Sequence, residues 1–334
     1  MSHNKNLLIL LALVLGLFQP DLRAEIKKVA QTGYQFLKID ADARGAAMGS
    51  ALTLAGQGAS SMFYNPAGMS RQSAGLDFFS TYTNWLDDIS YFSLGVSKDM
   101  GIIGVVGLCL QTADYGEIIG TQVAANEDGY IETGNLNVDA GLFGVSFARN
   151  LTDRFSVGGQ IKFVSQSLGH SLVPGEEDEG VTQENKTSTM AYDFGTIYYP
   201  GANSFRFGMS VRNFSQDIKY EDDPFQLPLT FTIGLAVDIG DFIGSLGNLH
   251  DLLLSVDAVH PRDYTERINV GFEYGYNQML FLRGGYKFNH DTEGLSLGAG
   301  VTLPVGGLGT HLNYSFNDAN RFNPVHRITL GLSF

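Results

Sequence analysis

Ser296 sits at the centre of Gly294-Leu295-Ser296-Leu297-Gly298, the Gly-x-Ser-x-Gly spacing that presents a nucleophilic serine in hydrolases. That motif works only on a sharp strand-to-helix turn. Here its residues alternate apolar and small, as one strand does, so the match is chance. The seven histidines show no ligand spacing, and one cysteine, Cys109, excludes a Cys-cluster metal site. Gly306-Gly307-Leu308-Gly309 is too short and misplaced for a phosphate loop. What remains is charge on the non-apolar faces of neighbouring segments: Asp257, Arg267, Glu273, Arg283 and Lys287. Facing a lumen, they would form a cross-strand charge ladder that docks an inner segment bearing Asp40, Asp42 and Arg44, since a buried charge needs a partner. Transport selectivity is the second role open to them. No enzyme and no cofactor is implied.

The elements that must carry these charges are strands. From residue 76 onward, roughly ten-residue segments alternate with turn residues. In the last, His326, Ile328, Leu330, Leu332 and Phe334 share one face, and Val325, Arg327, Thr329, Gly331 and Ser333 the other. Fourteen such segments are predicted, at 76–83, 89–98, 102–113, 136–149, 155–168, 188–199, 205–216, 227–239, 251–260, 266–276, 279–288, 294–303, 308–316 and 325–334. Connections after even-numbered segments are tight, with 240–250 an exception, whereas 114–135 and 169–187, after odd-numbered ones, are long. An even strand number with alternating short and long connections describes an antiparallel transmembrane β-barrel of the bacterial outer-membrane kind. A soluble β-sandwich shares the alternation but fits fourteen strands poorly.

Composition agrees. Of 334 residues 41 are Gly, 23 Phe and 15 Tyr against one Trp, as in aromatic-rich β structure. The net charge of −14 speaks against a nucleic-acid partner. Leu7 to Phe18 is an apolar run that would span only ~18 Å as a helix, too short for a membrane anchor. Residues 1–24 therefore read as a cleaved signal peptide ending at Leu22-Arg23-Ala24. Three connections are acidic: 114–135 (Asp114, Glu117, Glu127, Asp128, Glu132), 169–187 (Glu176, Glu177, Asp178, Glu179, Glu184) and 217–224 (Asp217, Glu221, Asp222, Asp223). They read as solvated loops that repel aggregation, or as a surface for divalent cations bridging to lipopolysaccharide.

Residues 25–75 do not alternate. They are rich in Ala, Gly and Ser and close on Tyr64-Asn65-Pro66-Ala67-Gly68. A fourteen-stranded barrel is too wide for side chains alone to fill, so this stretch is the candidate N-terminal hatch or plug, and 76–334 the barrel. Asn65-Pro66 is turn chemistry that would hold a bend in the plug and close the lumen at rest, or else an ordinary surface turn.

Arg44-Gly45-Ala46-Ala47-Met48-Gly49 with Asn65-Pro66-Ala67-Gly68 resembles the hatch of FadL-type outer-membrane barrels, and among these the PorV/PorQ group. Leu227-Pro228-Leu229-Thr230-Phe231, Asp257-Ala258-Val259-His260-Pro261 and Leu282-Arg283-Gly284-Gly285-Tyr286 extend the resemblance over the mature chain. It implies a self-plugged barrel with hatch or gating residues Arg44, Gly45, Asn65, Pro66, Ala67 and Gly68. The function implied is a partner-binding scaffold in type IX-like protein secretion; the alternative is passive transport of hydrophobic compounds. Ile328, Leu330, Leu332 and terminal Phe334 resemble the signature read by barrel-assembly machinery. Expected partners are that machinery, outer-membrane lipid, and exported cargo or a hydrophobic small molecule.

Overall fold

The computed structural model describes residues 32–174, 180–220, 223–241 and 249–334. The leader at 1–24, residues 25–31 and the acidic residues Glu176–Glu179, Glu221 and Asp222 lie outside them. Sixteen strands occur among the described residues: β1 (Leu76–Asn84), β2 (Ser90–Asp99), β3 (Val105–Asp114), β4 (Ile118–Val123), β5 (Tyr130–Leu136), β6 (Val138–Thr152), β7 (Phe155–Pro174), β8 (Gly180–Tyr198), β9 (Arg206–Phe214), β10 (Thr230–Asp238), β11 (His250–Pro261), β12 (Arg267–Tyr276), β13 (Leu280–Phe288), β14 (Leu295–Val305), β15 (Leu308–Asn317) and β16 (Val325–Ser333). All but β4 and β5 form one closed antiparallel barrel of fourteen strands, in which β3 pairs with β6 and β1 closes on β16. No described helix is long and apolar enough to cross a membrane.

Alternation sets the two faces. Leu108, Leu110, Phe143, Val145, Leu295, Leu297, Ile328 and Leu330 point outward and are exposed, while Gln111, Ser146, Ser296, Arg327 and Thr329 point inward and are buried. Apolar side chains outside and polar ones inside invert a soluble protein and match a wall set in lipid. Strands of nine or ten residues, such as β1, β2 and β3, suffice for one tilted crossing.

Two connections are not the loops expected. The 114–135 stretch holds the hairpin β4–β5, a two-stranded sheet separate from the barrel. Across most of 169–187, β7 and β8 stay paired, from His170 opposite Glu184 to Pro174 opposite Gly180, with a register shift between Ser167 and His170. At 20 and 19 residues, these strands are longer than a crossing needs and project beyond the wall. Polar, acidic residues masked this pairing, because the hydrophobic alternation ends where lipid contact ends.

Ahead of β1, residues 32–75 contain a short helix α1 (Ala43–Ala47) and single 3-10 turns at Gln35–Lys38, Ala59–Phe63 and Pro66–Arg71. Asp42 caps α1, its carboxylate accepting from the Gly45 N–H at 2.6 Å. Ala43, Ala46, Ala47, Ala51, Ala59 and Ala67 are fully buried, so small side chains let this segment lie close to the wall.

Leu282 is 62% exposed and its neighbour Arg283 only 7%. Leu282→Arg should therefore cost about 2–4 kcal/mol if it sits at bilayer mid-depth, read by denaturant unfolding in lipid. Unchanged stability would mean that this face does not meet lipid.

Candidate functional site: the contact between the inner segment and the wall

Three groups of contacts join residues 32–72 to the barrel. The first centres on Glu273 of β12. Its carboxylate receives Arg44 Nε at 2.8 Å and Nη2 at 2.7 Å, a bidentate pair, and also Arg283 Nε from its register partner on β13. Arg283 extends the chain to Asn313 on β15 at 2.8 Å. Beside it, Lys287 pairs with Asp40 at 3.2 Å and with Glu293 at 3.0 Å. Arg327 donates to the Asp40 carbonyl, Asn317 to the Ala46 carbonyl at 2.8 Å, and Thr329 accepts from the Ala43 N–H at 2.9 Å. These bonds fix α1 against β12–β16.

Of the sequence-derived charges, Glu273, Arg283 and Lys287 thus meet Arg44 and Asp40. Asp257 forms no salt bridge among the described residues; its carboxylate accepts from the Thr53 N–H at 3.0 Å. Arg267 lies apart, its guanidinium 4.2 Å from the centre of the Tyr264 ring. Asp42 serves within the segment, where Tyr64 Oη also donates to it at 3.2 Å.

The second group lies at the end with long connections. Asp263, in the β11–β12 turn, accepts from Thr32 Oγ1 at 2.8 Å, Gln35 Nε2 at 3.2 Å and Lys38 Nζ. Burial pushes its carboxyl up, but the Lys38 hydrogen bond and charge, with the bonds from Thr32 and Gln35, outweigh this and hold it below the usual carboxylate range. The anion therefore persists through mild acid, and its stabilising effect is lost only as pH falls through that depressed value. Tyr34 Oη donates to the Thr187 carbonyl at 2.7 Å and stacks on Phe225. The third group, at the short-turn end, joins Ser70 to Asn150 at 2.8 Å, Arg71 to Ser156 at 2.9 Å, and Ser97 to Gln72 at 2.6 Å. The segment thus runs from one mouth of the barrel to the other.

Sequence reasoning missed the glycines that receive it. Gly158 and Gly195 are register partners on β7 and β8, and a methyl group on either would collide with Asn65, Pro66 or Ala67. Gly271 and Gly285, partners on β12 and β13, stand in the same relation to Met48 and Gly49. Two opposed glycine pairs therefore form notches for the segment's backbone. Asn65 caps the turn at Pro66–Arg71, accepting from the Ala67 N–H at 3.1 Å and donating to the Thr196 carbonyl at 3.1 Å. Gly45 abuts Tyr64, and Gly68 abuts the Gly56 carbonyl and Ser61.

The serine of the Gly-x-Ser-x-Gly match, Ser296, faces inward on β14 and accepts from Asn317 Nδ2 at 2.8 Å, a structural tie between strands. Ile328, Leu330 and Phe334 lie exposed on the outer face of the closing strand or at its end, and Leu332 is partly so.

Residues 112–332 match the family described as type IX secretion system membrane protein PorP/SprF. The chain belongs to this family. The match begins near the end of β3, so it covers most of the barrel and not the inner segment. No curated protein matches the sequence. Among solved structures the chain is similar to the toluene transporter TodX of Pseudomonas putida, with 13% identity over 92% of this chain and 99% of that one, at a TM-score of 0.54. It is also similar to a TodX monoaromatic hydrocarbon channel carrying the deltaS2 mutation (14%, 87% and 96%, 0.51) and to a FadL homologue of Pseudomonas aeruginosa (10%, 88% and 98%, 0.50). At such identities the likeness is one of fold: a secretion-family chain on a FadL-like barrel.

Glu273→Ala would leave Arg44 and Arg283 facing one another without the anion, at a cost of about 3–5 kcal/mol. Denaturant unfolding should show that loss, together with faster proteolysis within 44–56, and Glu273→Gln should recover part of it. Equal stability of all three proteins would mean that the cluster does not hold the segment.

Proposed function

We propose that this protein is an outer-membrane scaffold of a type IX-like secretion pathway, its barrel kept closed by residues 25–75 acting as a plug. The family match carries the secretory part of this reading. The closed lumen rests on the inner segment, which reaches between both mouths and is held by the Glu273 cluster and by Asp263. Short turns would face the periplasm and long connections the exterior. Export by the leader at 1–24 and insertion through Ile328, Leu330, Leu332 and Phe334 belong to the same reading. So does the finer likeness to the PorV/PorQ group, which rests on the motifs between Arg44 and Gly68 and on those between Leu227 and Tyr286. The partners proposed are exported proteins, outer-membrane lipid and the barrel-assembly machinery.

The second reading is passive transport of hydrophobic compounds, favoured by the TodX-like fold. The scaffold reading is supported by the polar cavity between the inner segment and β3, β6, β7, β8 and β9. It measures about 10 Å³ and is lined by Gln111, Gln160, Lys162 and Asp193 among others, room for a water and not for an aromatic ring. Deleting the gene should change the set of secreted proteins while leaving lipophile uptake intact; lost uptake with normal secretion would overturn the scaffold.

Asn65 and Pro66, seated in the Gly158–Gly195 notch, are proposed as the turn that keeps the plug bent. Asn65→Ala combined with Pro66→Ala should raise the conductance of the barrel in planar bilayers. A conductance equal to the parent's would remove gating from the reading.

A further inference from the structure

The cavity just described has an internal accounting problem. Lys162 Nζ is occupied by Asp193 at 2.8 Å and by Asn213, and Asp193 also accepts from the Asn213 N–H at 2.7 Å. Arg212 gives Nη1 to the Phe63 carbonyl, and Gln160 gives Nε2 to Cys109 Sγ at 2.8 Å. Three atoms of cavity-lining side chains have no hydrogen-bond partner among the described residues: Gln111 Nε2, Gln160 Oε1 and Arg212 Nε. Gln111 is 1% exposed and Gln160 3%, so neither can turn to bulk solvent. An orphaned polar group at that depth carries its whole desolvation cost.

We infer that one ordered water molecule occupies this cavity as a built part of the contact between inner segment and wall. The chemistry of the three atoms fits a single water. Its oxygen accepts from the two N–H donors, on Gln111 and Arg212, and one of its hydrogens goes to Gln160 Oε1. A site of about 10 Å³ with three polar partners meets the requirement in room and in partner number. An apolar guest fits neither, because it would leave all three groups unpaired.

The water adds to direct contacts on both sides of the segment. Toward β12–β16 it is clamped directly, by Arg44 on Glu273 and by Asn317 on the Ala46 carbonyl. Toward β6–β9 it is held directly by Asn65 on the Thr196 carbonyl and by Arg212 on the Phe63 carbonyl, with the water between them and β3.

A crystal structure at a resolution that shows ordered water, with a second crystal pressurised with xenon, tests the assignment. The expected result is one water peak within hydrogen-bond distance of Gln111 Nε2, Gln160 Oε1 and Arg212 Nε, with no xenon in the cavity. An empty cavity, xenon bound there, or Gln111 and Gln160 turned to pair with each other would overturn it. Gln111→Leu should lose the peak or cut its occupancy severalfold; an unchanged peak in that variant would remove Gln111 from the site.

Discussion

Everything in this molecule follows from the pairing of β1 with β16. Lipid offers no hydrogen-bond partners, so a sheet that crosses it must leave no edge. The eight residues from Asp77 to Asn84 meet Ser333 to His326 in continuous antiparallel register, and the last backbone groups are tied by Gly75 and Leu76 to Phe334. Once the sheet is closed, the number of strands determines the width of the lumen. At fourteen, inward side chains cannot meet in the middle as they do at eight. The interior then has to hold either water or more chain.

The chain supplied is the stretch before β1, and its composition answers two separate demands. Close approach to a wall of strands requires small residues on both sides. Alanines of the inner segment and the paired glycines at 158/195 and 271/285 provide that together. Fixing one position among many of similar shape requires directional contacts, and the ionic cluster provides those. Glu273 and Arg283 are register neighbours, so the wall itself orients the acceptor, and Arg44 meets it with a planar, bidentate fork. The net energy of such buried pairs is small, because desolvation offsets most of the attraction, and what they contribute is register.

Much of this was readable in the sequence, and the unread part has a common cause. Strand number, the two faces and the inward placement of Asp257, Glu273, Arg283 and Lys287 follow from period-2 alternation, which lipid on one side and a polar lumen on the other impose on every crossing. The alternation falls silent where both faces see water, and for that reason β4–β5 and the outer halves of β7 and β8 looked like loops. The glycine notches were invisible for another reason: an inward glycine in a strand looks the same whether it faces water or backbone, and only the register brings Gly158 opposite Gly195. Arg267 shows the limit of grouping charges by face, since it shares the inner face with Glu273 yet lies on Tyr264 near the mouth. Depth along the strand, as well as face, decides which charges meet.

The same barrel serves a toluene transporter and, here, a chain of a secretion family, so the fold does not choose between them. The lining of this lumen is the more specific evidence. A hydrocarbon path needs an unbroken apolar surface with few hydrogen-bonding groups, because each polar group that the substrate passes must give up its partner and cannot recover it from the substrate. Around Met62 and Phe63 this barrel instead places Lys162, Asp193, Asn213, Gln111, Gln160 and Arg212. Moving a hydrocarbon past that wall would strip water and ion-pair partners from several groups at once. A wall of this kind resists oily solutes, and β3 and β6–β9 build it at the level of Met62 and Phe63.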